Sequence, residues 1–115
     1  MAETPNLRQV LQAELITAMK NQDRATMVAI RSVLSAISNK EAVASTERAG
    51  AIEQAPRSAE APRQELTHQQ MKLVLLDEIE SRRNSAGYLR TAGREDEAAG
   101  REAEAAILER YLYLT

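Results

Sequence analysis

The last third of the chain, from Thr67 to Thr115, constrains the fold more than any other segment. Gln70 follows Thr67 at the spacing of a capping box, in which a Thr hydroxyl and a Gln side chain each satisfy a free backbone N–H group at a helix start. Helix-forming residues then continue to Gly93, and glycine readily adopts the left-handed conformation that ends many helices. This segment therefore predicts a helical hairpin, with helices over 67–92 and 95–113.

The first part of the chain predicts a second hairpin. Thr4 before Pro5 is typical of an N-cap followed by proline in the first helical turn, and leucines then recur at helical spacing. Asp23 is placed to cap a second apolar stripe, and the connection before it is so short that the two helices must be antiparallel. We expect these helices over 5–20 and 24–42.

Between the hairpins, the apolar pattern disappears and Pro56 and Pro62 forbid a continuous helix. We expect a long flexible linker over 43–65, with a short helix at 47–54 as the alternative. The chain has no Phe and no Trp, a composition that favours packed helices over sheets. The expected fold is thus all-α: one domain over 1–115, a four-helix antiparallel bundle of two helical hairpins.

Composition and net charge limit the classes of partner that the chain can bind. The net charge of −2 argues against a surface that grips a polyanion everywhere, so any nucleic-acid contact must come from a local patch. There is no cysteine, and no apolar run approaches the roughly 20 residues that span a bilayer. The first residues lack the basic and apolar regions of a signal peptide. We therefore expect a soluble cytoplasmic protein with no membrane partner.

Arg82 is the sharpest local anomaly, because it falls on the apolar stripe of the third helix. Its height in the hairpin is similar to that of Glu102, so we predict an interhelical ion pair between Arg82 and Glu102. Basic residues nearby could form a phosphate-binding patch, although the mixed charges of the third helix are also typical of a solvated face. The candidate anion or tRNA contacts are Lys20, Arg24, Arg31, Arg82, Arg83, Arg90 and Arg94.

The sequence offers no catalytic constellation. Its single histidine, His68, lies at a helix start without the Glu-x-x-His partner of a helical metal site, and a capping role is the simpler interpretation. The four glycines match neither the phosphate-loop nor the dinucleotide spacing. We expect no enzymatic activity, no metal and no cofactor.

Three segments together resemble the YqeY-like family, whose domain is shared with the tail of the GatB subunit of glutamine-dependent tRNA amidotransferases and with some glutaminyl-tRNA synthetases. The resemblance covers nearly all of the chain except 41–65. It is carried by Ala18-Met19-Lys20, Asp23, Ile30–Ile37 and Lys40-Glu41; by Leu66-Thr67, Glu78, Arg82, Arg83, Ser85 and Tyr88; and by Ala92-Gly93-Arg94, Glu102-Ala103-Glu104 and Ile107–Leu112.

The resemblance implies an all-helical N-terminal domain that acts as an accessory to tRNA-dependent amidation or aminoacylation, with tRNA, an amidotransferase or an aminoacyl-tRNA synthetase component as partner. Family members continue past a Tyr-Leu-Pro sequence into a second helical domain. Here Tyr113 stands where that proline would fall, so we expect the second domain to be absent. The alternative is a protein-interaction or self-associating bundle with no nucleic-acid role, in which the apolar third helix binds a partner or a second copy.

Overall fold

The computed structural model describes the backbone of residues 5–51 and 65–114 and the side chains of 5–43 and 65–114. These residues form four helices and no strand, which confirms the all-α class and is consistent with a four-helix bundle. The helices are α1 (Leu7–Lys20), α2 (Arg24–Ala51), α3 (His68–Thr91) and α4 (Glu95–Tyr113). Within this part of the chain, no helix is long and apolar enough to cross a membrane.

The start of α1 differs from the prediction. The N-cap is Asn6, whose side chain accepts a hydrogen bond from the backbone N–H of Gln9, while the Gln9 side chain accepts one from the Asn6 backbone. Pro5 precedes the helix and Thr4 lies outside the described residues, so the prediction of Thr4 as the cap is wrong. The physical reason is a competing signal: Asn6 and Gln9 have the spacing of a capping box, which satisfies two free N–H groups.

The connection between α1 and α2 is as short as expected. Asp23 caps α2 as predicted: its Oδ1 accepts from the backbone N–H of Thr26 at 3.2 Å, and its Oδ2 accepts from the Thr26 hydroxyl at 2.6 Å. Gln22 adopts a φ of 55°, the left-handed conformation that reverses the chain within a few residues. This turn sets the two helices side by side.

Helix α2 is longer than predicted. The described part of α2 reaches Ala51, so 43–51 is helical and not linker. Residues 47–51 of the alternative short helix therefore belong to α2. The sequence from Val43 to Ala51 has no apolar stripe, but it holds three alanines and no proline, so nothing in it forces the helix to stop. The remainder of the expected linker, 52–64, lies outside the described residues.

The second hairpin matches its prediction closely. Thr67 and Gln70 form the expected capping box: the Thr67 Oγ1 accepts from the Gln70 N–H at 3.1 Å and the Gln70 Oε1 accepts from the Thr67 N–H at 2.8 Å. Gly93 has a φ of +77° and follows the end of α3. Helices α3 and α4 share the most extensive contact in the bundle.

The core is formed where all four helices meet. Leu7 and Leu11 of α1, Ile30 and Ile37 of α2 and Leu75 of α3 are fully buried, and α4 adds further aliphatic side chains and Tyr111. Burying large aliphatic side chains of this kind stabilises a fold by roughly 1.5–3 kcal/mol each. This shared core fixes the positions of the charged side chains around it.

One buried carboxylate joins three parts of the bundle. Glu41 of α2 is 2% exposed, and its Oε2 lies 2.5 Å from Nη2 of Arg8 on α1. The same oxygen accepts a hydrogen bond from the backbone N–H of Leu66, just before α3, at 2.9 Å. Glu41 therefore holds the start of α3 against α1 and α2.

Candidate nucleic-acid interface

The seven predicted anion contacts divide into two groups. The four of them that lie in the second hairpin all contact carboxylates: Arg83 bonds Glu109, Arg90 bonds Glu95 and Glu102 at 3.1 Å each, and Arg94 lies 3.6 Å from Glu97. Arg82 also contacts carboxylates, as described below. An arginine engaged in this way must give up or share its partner to bind phosphate, so this group is a weaker candidate for nucleic-acid contact.

The predicted pair of Arg82 with Glu102 is not the one that forms. Arg82 Nη1 bonds Glu78 Oε2 at 2.6 Å, and its Nε lies 4.0 Å from Glu104 Oε2. Two physical reasons explain the difference. First, Glu78 precedes Arg82 by one helical turn and therefore lies on the same face of α3. Second, Arg82 lies eleven residues before Gly93 and Glu104 lies eleven residues after it, so these two residues are level in the hairpin.

Glu102 forms its ion pair with a different arginine, Arg90. Its Oε1 accepts a hydrogen bond from Arg90 Nη1 at 3.1 Å. Hydrogen bonds to Glu95 and then to Glu102 raise the pKa of Arg90 above its ordinary value, so this arginine is held in its charged form. The i,i+4 spacing of Glu78 and Arg82 was the sequence signal that could have identified the nearer partner.

The other three predicted cations lie at the α1–α2 corner, the name used below for Lys20, Arg24 and Arg31. All three are exposed, and none forms an ion pair with another of the residues that the structure describes. Arg24 and Arg31 line the same groove, of about 470 Å³, together with Gln22 and three apolar residues: Met19, Met27 and Val28. The α1–α2 corner thus presents guanidinium and ammonium groups that no carboxylate of the described residues engages.

Asp23 lies within this cationic surface but is already engaged. Hydrogen bonds from the side chain and then the backbone of Thr26 lower the pKa of Asp23 below its ordinary value of about 3.8. The positive charge of Arg110, on α4, lowers it further. Arg110 is therefore a fourth cation near the α1–α2 corner, which sequence reasoning missed because its place depends on how α4 crosses the first hairpin.

The only histidine has a structural role that matches the capping interpretation. His68 Nδ1 accepts a hydrogen bond from the backbone N–H of Leu7 at 3.1 Å, so the side chain at the start of α3 caps the start of α1. Among the described side chains, no group of three or more His, Cys, Asp or Glu residues could hold a metal ion.

The tyrosines occupy different environments. Tyr111 is buried in the core, and burial, followed by the charge of Glu14, raises the pKa of its phenol above the ordinary value of 10.0. Tyr88 and Tyr113 are 80% and 83% exposed. Tyr88 lines an open groove along α3, beside Leu89 and Arg94. The two exposed tyrosines lie on different helices. Tyr113 is exposed although it is only two residues from the buried Tyr111, so its position in the sequence did not indicate its exposure.

The fold and the charges define a small all-α bundle whose first two helices carry a corner of cations that have no ion-pair partner in the described part of the chain. The family model described as Yqey-like protein matches residues 8–113, almost the whole chain, and the chain belongs to this family. No curated protein matches the sequence.

Proposed function

We propose that the protein is a non-catalytic helical accessory module that binds tRNA, or a subunit that handles tRNA, in tRNA-dependent amidation or aminoacylation in the cytoplasm. The proposal starts from the family, whose domain resembles the tail of a tRNA amidotransferase subunit. Its single strongest support is the α1–α2 corner, where exposed cations stand together without carboxylate partners among the described residues. Such groups can neutralise phosphates without breaking an existing ion pair.

The absence of catalysis is part of the proposal. The histidine that a hydrolytic or acyl-transfer site would need as a base is His68, and its Nδ1 is engaged with the backbone N–H of Leu7. Binding, and not chemistry, is therefore the activity that we expect the chain to contribute.

The proposal is tested by titrating fluorescently labelled total tRNA with the protein at low and moderate salt and following anisotropy. The key variant is Arg24→Gln with Arg31→Gln. The matched control is Arg83→Gln with Arg94→Gln, which removes the same charge from arginines that contact carboxylates. All four residues are exposed, so both double variants should fold.

We expect binding that weakens with salt, and a loss of about tenfold or more in affinity for the α1–α2 variant, with a salt slope that falls by roughly one for each phosphate contact removed. The control should stay within about twofold of the natural sequence. No binding at low salt, or equal losses in both double variants, would refute the proposed tRNA surface.

A second function is favoured by a separate observation. Leu73 and Leu76 of α3 are 55% and 45% exposed and lie on one face of the helix. We propose as the alternative that this face binds a protein partner or a second copy of the chain. Sedimentation velocity of the natural sequence and of Leu73→Ser with Leu76→Ser distinguishes self-association, because the variant should shift an oligomer to the monomer.

A further inference from the structure

A polar cleft of about 300 Å³ opens beside the apolar core where α2, α3 and α4 meet. None of the three cations of the α1–α2 corner lines it. The lining residues are Ser32, Glu78, Ser81, Arg82, Ser85 and Arg101. Its volume is at the lower end of the range of small-molecule sites, which suits a ligand of a few heavy atoms.

Charged groups of alternating sign line this cleft and continue to Glu104 beside it. Glu78 Oε2 accepts from the Ser32 hydroxyl at 3.1 Å and from Arg82 Nη1 at 2.6 Å. On the other side of Arg82, Glu104 Oε2 accepts from Arg101 Nη1 at 3.4 Å. Two guanidinium groups and the Glu78 carboxylate therefore line the cleft. Glu104 contacts both guanidinium groups without lining the cleft, and the four charges of this network cancel.

The burial of Arg82 is the feature of this network that side-chain packing does not explain. Its side chain is 8% exposed, and its buried Nε has no hydrogen-bond partner among the described residues, since Glu104 Oε2 lies 4.0 Å away. A buried charged group with an unmade hydrogen bond is costly, and an apolar side chain at this position would avoid that cost. The stability of the bundle alone therefore does not account for a buried arginine at this position.

We propose that this cleft binds a small zwitterion of the class of the free α-amino acids. Glu78 bonds Arg82 through Oε2, so Oε1 of Glu78 remains as an acceptor for an ammonium group. The Arg101 side chain is 50% exposed and retains donors for a carboxylate, which the Ser81 and Ser85 hydroxyls can also bind. A simple anion would meet the Glu78 carboxylate and a simple cation would meet the two guanidinium groups, whereas a zwitterion complements both signs of charge.

The test is a titration of the ¹⁵N-labelled full chain, followed by amide chemical shifts. The probes are glycine, L-alanine and L-serine, and the half-ligands acetate and methylammonium serve as controls for each charge alone. We expect saturable shifts of the Ser81, Ser85 and Arg101 amides with the amino acids, and at least tenfold weaker responses with either half-ligand.

Two variants at the rim of the cleft extend the test without removing the buried Arg82. Arg101→Gln and Ser85→Ala should each weaken amino-acid binding by about tenfold, whereas Arg83→Gln, on the same bundle but outside the cleft, should leave it unchanged. Circular dichroism of each variant checks the helical fold. The absence of saturable shifts with all three amino acids, acetate binding as strong as that of glycine, or unchanged binding by both rim variants would overturn the proposal.

Discussion

His68 Nδ1, at the start of α3, accepts a hydrogen bond from the backbone N–H of Leu7, at the start of α1, across a distance of 3.1 Å. The first N–H groups of a helix have no partner within it, so this contact satisfies one of them from another helix. We predict that His68→Ala lowers the free energy of unfolding by about 1 kcal/mol, because Leu7 then loses its acceptor. Urea unfolding followed by circular dichroism measures the change.

The neighbouring exposed residue supplies the control for this prediction. Gln69→Ala changes the same turn of α3 without touching Leu7, and should leave the free energy of unfolding within about 0.5 kcal/mol of the natural value. If His68→Ala and Gln69→Ala unfold at the same urea concentration, the contact between the helix starts contributes nothing to stability.

The buried carboxylate of Glu41 should be among the most sensitive polar positions. Glu41→Gln removes the charge that faces Arg8 and weakens the acceptor of the Leu66 N–H, so we predict a loss of about 2 kcal/mol. A double-mutant cycle with Arg8→Met isolates the interaction between the two side chains, and we expect a coupling energy of about 1 kcal/mol or more. Chemical unfolding of the four proteins gives this value.

An exposed ion pair provides the contrast for this cycle. Arg94 and Glu97 lie 3.6 Å apart, with 64% and 61% of their side chains exposed. The same cycle with Arg94→Met and Glu97→Gln should yield a coupling energy below about 0.5 kcal/mol, since water screens the pair. Equal coupling in the two cycles would show that burial adds nothing to the Arg8–Glu41 pair.

Most of the fold could be predicted because its boundaries are set by local chemistry. The cap formed by Asp23, the capping box at Thr67 and the left-handed Gly93 each depend on residues within one helical turn, and the structure confirms all three. The two errors, the start of α1 and the length of α2, also concern local chemistry at helix boundaries. The capping box of Asn6 and Gln9 formed in place of the predicted Thr4 cap. Beyond Ala42, α2 continued without an apolar stripe because no proline interrupts it.

The candidate site could be predicted only in part, because ion pairs between helices depend on the rotation of each helix about its own axis. The apolar stripe placed Arg82 in a buried position correctly, but not its partner. Nor could spacing separate the paired arginines of the second hairpin from Arg24 and Arg31, since all are arginines on charged helices. The role of Glu41 left no sequence signal, because Arg8 and Leu66 are distant in the chain.

The cap of α2 should make part of the stability depend on pH in the acidic range. The pKa of Asp23 is lower in the folded protein than the ordinary value of about 3.8, so its ionised form stabilises the fold above that pH and this contribution is lost as the pH falls through the folded pKa. Asp23→Asn retains a capping side chain but cannot ionise. We predict that the natural protein is more stable than the Asn variant near neutral pH, and that the difference shrinks as the pH falls below 3.8.

Thermal unfolding of both proteins at a series of pH values checks this expectation. The other ionisable groups are common to both proteins, so their contributions cancel in the difference. A difference that stays constant from neutral pH to strongly acidic pH would contradict the proposed role of the ionised carboxylate.

Two glycines should respond to the same substitution with opposite signs. Gly93 has a φ of +77°, where an L side chain is strained, so Gly93→Ala should lower the free energy of unfolding by about 1 kcal/mol. Gly100 lies inside α4, and a Cβ built there meets no atom within 4 Å, so Gly100→Ala should raise it by roughly 0.5–1 kcal/mol through helix propensity. Urea unfolding of the two variants beside the natural sequence measures both changes. A gain in stability from Gly93→Ala would show that the turn between α3 and α4 does not require the left-handed conformation. A loss of stability from Gly100→Ala would show that α4 packs more closely at this position than the open space around Gly100 indicates.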